Sequence, residues 1–309
     1  MMKDWASYRN GNYNVFIDLT DGTKIRANDL DELIPDTVES MDIKITNQCD
    51  MNCKCCHENS TLDGKHADLM SESFIDKLHP YTELAIGGGN PLSHPNLLEF
   101  LEKCKRLKFI PSMTVNKVHF MQNYDFIKKL VDDRLIYGLG VSWSGECDDD
   151  FISKIQTIPN AVLHVINGLI STESLKYIKD KNIKVLILGY KRFRRGETLY
   201  EQLGESIKKK IKETDELLPT IIKEHWFKTL SFDNLALTQL DVKSQMTEEE
   251  WQMFFMGDDG VDGMATSCSM FVDMVERKFA VNSCSADRYD LMNTIEDMYS
   301  FIQNKFNNK

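Results

Sequence analysis

The 309-residue chain has no apolar run close to the roughly 20 residues of a membrane span. Its opening stretch, MMKDWASYRN, also lacks the apolar segment of a signal peptide. These absences argue against a membrane protein and set the expectation of a reducing, cytoplasmic location. Basic charge is scarce: 37 Lys and Arg stand against 48 Asp and Glu, a formal net charge of −11. General nucleic-acid binding over the whole surface is therefore disfavoured, and only a local basic patch stays open. No internal repeat or low-complexity tract stands out. With 42% apolar and 28% charged residues, the composition is ordinary for a globular protein. The length suits one barrel-sized domain with additions, or two domains.

What is abundant is local. Four of the eight cysteines lie in the stretch DIKITNQCDMNCKCCHENS, residues 42–60. Ile43 and Ile45 alternate with Lys44 and Thr46 as in a strand, and a loop carrying Cys49, Cys53, Cys55 and Cys56 follows. Cys49, Cys53 and Cys56 have C-x3-C-x2-C spacing. Three thiolates on one tight loop can hold three corners of a [4Fe-4S] cluster and leave the fourth iron open to a substrate or cofactor. Zinc is the alternative, but structural zinc sites usually draw paired ligands from two separated knuckles. Cys104, Cys147, Cys268 and Cys284 supply no second C-x2-C. A disulfide framework fits poorly with a long chain that shows no export signal.

With a strand before the loop and Gly88-Gly89-Asn90-Pro91 closing the next strand, the chain resembles the radical S-adenosylmethionine (radical SAM) enzymes. The resemblance covers about Asp42–Tyr190 and implies an α/β fold: a (β/α)6 partial TIM-type barrel carrying the cysteine loop after its first strand. It implies Cys49, Cys53 and Cys56 as ligands of the cluster, with S-adenosylmethionine as second cofactor. It also implies an external one-electron donor of the flavodoxin or ferredoxin type. Cys55 occupies the slot before the third ligand, where the family's backbone lies near the adenine. Gly88 and Gly89 fit the Gly-Gly-Glu-Pro stretch that receives the methionine amino group. Asn90 replaces the Glu, and an amide offers an acceptor without the carboxylate's charge. Asn116, Ser142, Asn167 and Leu188 fall at the ends of later strands, where the family places SAM contacts, and Ser144 stands where Asp is common.

Alternation of strand and helix patterns supports the parallel sheet independently. Strands are expected at Asp42–Thr46, Glu83–Ile86, Ser112–Asn116, Tyr137–Trp143, Ala161–Val165 and Lys184–Tyr190. Helices are expected from Ser71 and at Asn96–Arg106, Tyr124–Asp133, Asp149–Gln156 and Thr172–Lys181. Right-handed crossovers place every strand's C-terminal end at one rim. Residues 1–40 form an N-terminal β-hairpin and connection, with Asp21-Gly22 as the turn. Residues 41–240 form the barrel, and 241–309 a small α+β C-terminal extension. The basic run Lys191–Arg195 reads as a solvated loop or as a contact for an acidic substrate. Thr198–Ile221 reads as a long surface helix, Thr229–Leu237 as a further strand and Thr247–Met256 as a helix. The stretches at Cys268–Asp273 and Phe279–Cys284 read as a hairpin similar to that opening the extension of peptide-modifying radical SAM enzymes. With two cysteines it is expected to be free of an auxiliary cluster.

Three functions stay open. One is a radical SAM enzyme whose 5′-deoxyadenosyl radical takes hydrogen from a peptide or protein side chain. The others are an enzyme acting on a small molecule or nucleotide, and a non-catalytic metal-binding or regulatory protein.

Overall fold

A computed structural model describes residues 3–29, 33–254 and 268–307. Strands β1 (Trp5–Asn10), β2 (Tyr13–Asp18) and β3 (Lys24–Ala27) form an antiparallel sheet in that order. The expected hairpin is β2–β3, to which β1 adds a third strand. Tyr13, Val15 and Ile17 alternate inward, as their period of two requires.

The second sheet holds ten strands. Its central members are β4 (Ser40–Thr46), β5 (Glu83–Gly88), β6 (Ile110–Asn116), β7 (Gly138–Ser142), β8 (Ala161–Ile166) and β9 (Lys184–Leu188). These pair parallel in chain order, each with the next. Beyond β9 lies β10 (Thr229–Phe232), also parallel. At the other end β11 (Ser269–Asp273) pairs parallel with β4, and β12 (Lys278–Ala280) and β13 (Tyr289–Asp290) complete the sheet antiparallel. The extension is thus continuous with the barrel through its first strand. On β4 the residues Met41, Ile43 and Ile45 join the apolar core, which puts Asp42, Lys44 and Thr46 on the opposite face.

Several elements differ from expectation: the helix Lys117–Gln122 was not anticipated, and the one expected over Thr172–Lys181 ends at Tyr177. The helix expected from Ser71 is a single 3-10 turn, Ile75–Lys77. Pro80 follows closely, and helices stop before the residue preceding a proline. The strand expected over Thr229–Leu237 ends at Phe232, where the Asp233 side chain accepts from Ala236 N (2.8 Å) and starts the helix Asn234–Gln239. The long surface helix runs Arg195–Lys223. The helix at 248 runs Glu248–Phe254, and the expected remainder to Met256 lies outside the described residues. In the hairpin turn Arg277 adopts φ +54 in place of a glycine. The closing helix, Ile295–Asn307, packs Phe301 against Phe279 and Tyr289. No described helix is long and apolar enough to cross a membrane.

One buried ionic group joins the two sheets. Glu39 accepts from Tyr13 Oη (2.6 Å) and from Arg26 Nε (2.8 Å) and Nη2 (2.6 Å), and pairs with Lys24 (3.2 Å), which also reaches Glu83. Glu39 and Glu83 sit at the N-terminal ends of β4 and β5, so this group closes the floor of the barrel.

Candidate functional site

The cysteine loop leaves β4 and returns beside its own start. Cys49 N donates to Thr61 O (2.8 Å), Thr61 N to Asn47 O (3.1 Å) and Asn47 N to Lys65 O (2.8 Å). Within it, Cys56 N donates to Cys53 O (3.2 Å). On one side His119 Nε2 meets Asp50 Oδ1 at 2.6 Å.

The glycines after β5 serve this loop. A Cβ on Gly88 (φ +112) would lie 2.4 Å from Thr46 O, and one on Gly89 would lie 2.1 Å from Gln48 O. Only residues without a Cβ allow that approach, which Gly89 N→Thr46 O and Asn90 N→Gln48 O (both 2.7 Å) then fix. Gly87, which the sequence reading passed over, is different. A Cβ there meets nothing within 4 Å among the described residues and would project into open space.

Cys49, Cys53, Cys55, Cys56, Gly87, Gly88, Gly89, Asn116, Ser142 and Leu188 all line one cavity of about 420 Å³, within the usual size of a small-molecule site. Register explains part of the convergence, because Asn116, Ser142 and His164 are direct neighbours across β6, β7 and β8. His164 also lines the cavity, and burial lowers its pKa to about 4, so the ring is neutral. Two expected residues lie apart from the lining. Asn90 Oδ1 accepts from Leu92 N (3.2 Å), capping the turn Pro91–Ser93. Asn167 is fully buried behind β8, its Nδ2 on Gln239 Oε1 (3.3 Å) and its Oδ1 without a partner among the described residues.

Electrostatics frame the loop. Lys44, 2% exposed, bridges Glu58 Oε2 and Asp273 Oδ2, each at 2.9 Å. It thereby ties the first strand, the cysteine loop and β11 together. Burial alone would raise the Glu58 carboxyl, but His57 and Lys44 outweigh it and hold it at about 2. Burial, then the neighbouring Cys55, Cys56 and Cys49, push the Cys53 thiol up to about 11. Thiolates crowded this way resist ionising together unless a cation joins them. A cubane takes one thiolate at each of three irons, so three thiols on one loop are a donor set that fits a four-iron cluster, and the glycine-floored cavity beside it has room for a small-molecule cofactor.

A second, larger cleft of about 1150 Å³ opens where the sheet fails to close, lined from the β10 side by Trp226, Phe227, Leu230 and Phe232 and from the β11 side by Met270 and Cys284. Asp42, Lys191 and Ser283 line both cavities, and Lys191 Nζ lies 3.4 Å from Ser283 Oγ. Cys268 instead faces the floor, 3.5 Å from Tyr13 Oη.

The sequence reading took the basic run after β9 as a solvated loop or a contact for an acidic substrate, not as a support of the cysteine loop. In the structure Arg194 and Arg195 contact the cysteine loop, while Arg192 is bound to Glu197 (2.7 and 3.0 Å). Nothing in the local pattern distinguishes these arginines from solvated ones, because the contact spans some 140 residues.

No protein-family model matches the chain, and no curated protein matches it. Solved structures do. SuiB of Streptococcus suis bound to the precursor peptide SuiA superposes with a TM-score of 0.59 at 11% identity, over 96% of this chain and 88% of that one. SuiB bound to S-adenosylmethionine gives 0.60 at 10%, over 96% and 87%. The anSMEcpe structure with AdoMet and the Cp18Cys peptide gives 0.52 at 12%, over 85% and 79%. At such identities the likeness is one of fold: the chain has the partial-barrel fold of radical SAM enzymes.

Proposed function

We propose that this chain is a radical SAM enzyme that binds a four-iron cluster through Cys49, Cys53 and Cys56, holds S-adenosylmethionine in the 420 Å³ cavity and acts on a peptide. One observation carries the reading: the three cysteines at C-x3-C-x2-C spacing line the same cavity as Gly87–Gly89, Asn116 and Ser142. When bound, cluster and cofactor together supply one-electron cleavage of a sulfonium to a 5′-deoxyadenosyl radical that takes hydrogen from a C–H bond.

The chain's part is binding and orientation. Gly87 leaves the cavity wall open. Asn116 Nδ2, Ser142 and neutral His164 offer hydrogen-bonding groups in one row, the Asn116 oxygen being taken by Val118 N (2.9 Å). Leu188 offers an apolar surface, and Cys55 a half-buried packing contact. Because the Asn90 oxygen is committed to its turn, the amino group of the cofactor is left to backbone carbonyls. Asn167 supports the β8 end from behind. The half-exposed cysteines leave the loop accessible to an external electron donor of the flavodoxin or ferredoxin type, in keeping with a cytoplasmic setting.

A peptide substrate is supported by the seam cleft, whose apolar wall and size suit a chain segment, and whose junction at Asp42, Lys191 and Ser283 opens on the cofactor cavity. The likeness to structures that hold peptides agrees with it. A small-molecule or nucleotide substrate drew support from a basic rim, but the Arg192, Arg194 and Arg195 side chains are engaged within the protein. Anaerobic reconstitution tests the proposal. Iron, sulfide and 5′-deoxyadenosine formed under dithionite are expected from the intact chain. Colourless protein holding zinc would overturn the reading.

A further inference from the structure

Two adjacent arginines at the start of the helix Arg195–Lys223 reach across to residues 52–60 of the cysteine loop. Arg195 donates from Nε to Asn59 Oδ1 (2.9 Å), from Nη1 to Asn52 Oδ1 (3.1 Å) and the Cys53 carbonyl (3.3 Å), and from Nη2 to the Ser60 carbonyl. Arg194 Nη1 donates to the Glu58 carbonyl (2.8 Å). A planar fork with five donors can span such a set, and a lysine cannot.

Backbone geometry on both sides of the contact is independent evidence that it is built. Asn52 (φ +45) and Asn59 (φ +55) are left-handed, and their side chains are the ones Arg195 takes. Arg194 itself sits at φ +51, ψ −123, a region whose backbone strain is costly for a residue with a Cβ. A glycine at 194 would avoid that cost, yet the position keeps an arginine, and its guanidinium contacts the loop. Strain is thus placed where a side chain contacts the cofactor-binding segment.

Resting on the enzyme reading above, we propose that Arg194 and Arg195 form a clasp that holds the cysteine loop in its cluster-binding shape, and that Arg195, on the carbonyl of a cluster ligand, keeps a fixed positive charge against the cluster that favours its reduced form. Arginine stays protonated at any working pH. Reduction adds negative charge, and cluster potentials follow net charge and nearby hydrogen bonds. Both arginines are positioning residues, since neither lies among the groups lining the cofactor cavity.

The test uses the full chain in two states. In metal-free protein at fixed pH, alkylation of Cys53 and Cys56 by iodoacetamide, read by mass spectrometry, reports opening of the loop. Arg195→Met should speed it about tenfold, the loss of roughly one charged hydrogen bond, and Arg195→Lys should remain clearly faster than the parent. In reconstituted protein a redox titration followed by electron paramagnetic resonance should give Arg195→Met a lower midpoint potential, while Arg195→Lys, which keeps the charge, stays near the parent. Arg194→Gly should alkylate faster without losing melting temperature, because glycine relieves the backbone strain as the contact is lost. Parental alkylation rates in Arg195→Met would overturn the clasp. Faster alkylation with a parental potential would overturn the charge. A lower melting temperature with parental alkylation in Arg194→Gly would remove Arg194 from it. Should the parent take up no iron, the enzyme reading fails while the alkylation comparison still decides the clasp.

Discussion

The barrel has buried charge at both ends, and the two ends handle it differently. At the floor Glu39 is enclosed by Arg26, Lys24 and Tyr13, with its side chain fully out of solvent. At the cavity end Lys44 is closed in the same way by Glu58 and Asp273. Asp42, one step down the same face of β4, is exposed to both cavities, and its side chain makes no hydrogen bond or ion pair among the described residues. The floor uses charge to attach one sheet to another. The lumen keeps a carboxylate available. An exposed, unpaired carboxylate standing where two cavities meet marks a place for a ligand.

The largest effect expected is at the loop itself. Cys53→Ala removes a proposed cluster ligand, so reconstituted protein should lose the visible absorption of the cluster and all 5′-deoxyadenosine formation. Retention of both would break the assignment of this end of the barrel as the chemical one. Next is Lys44→Met, which leaves Glu58 and Asp273 buried without their cation. A loss of about 3–5 kcal/mol is expected by denaturant titration, together with lower iron uptake, since Glu58 anchors the cysteine loop. Glu39→Gln should cost less, about 3 kcal/mol, because Lys24 keeps Glu83. Iron uptake should be normal at a temperature where the variant is folded. Equal effects of the two substitutions on iron uptake would erase the distinction between floor and cavity.

Much of this was legible in the residues, for physical reasons. The β4–β9 strands could be read because alternation and turn chemistry are local signals, and the cysteine triplet because its spacing is. Sequence pattern pairs each strand only with a successor, so the placement of β11 beside β4, which puts Asp273 on Lys44, was out of reach. Gly88 and Gly89 were read as part of the stretch that receives the methionine amino group, and what their missing Cβ atoms admit is the backbone of the cysteine loop. Gly87, with no described neighbour near its missing Cβ, is the one whose absence of side chain enlarges the cavity. Asn90 and Asn167 occupy the expected strand ends, yet a strand end does not determine whether a side chain turns to the cavity, the next turn or the helices behind.

The smallest effect on stability is expected at Asp42, and its sign sets it against Glu39. Burial would raise the Glu39 carboxyl, but the Arg26 bond and the charges of Lys24 and Arg26 outweigh it and hold it below its ordinary 4.5. A depressed carboxyl adds stability that is present above the ordinary value and is lost as pH falls through the folded one. Desolvation between the cavity walls raises the Asp42 carboxyl above 3.8, with Glu58 pushing the same way and Lys191 and His57 opposing. Folded protein then binds the extra proton, and stability declines as pH rises through that window. Glu39→Gln should therefore flatten the acid limb of a stability–pH curve. Asp42→Asn should leave stability at neutral pH unchanged or higher, within about 0.5 kcal/mol. Under the proposed function Asp42→Asn and Lys191→Met should keep substrate-free cleavage of S-adenosylmethionine while lowering turnover of a peptide substrate. If Asp42→Asn instead destabilises the fold as much as Glu39→Gln does, Asp42 is a structural charge like Glu39 and the lumen holds no carboxylate in reserve.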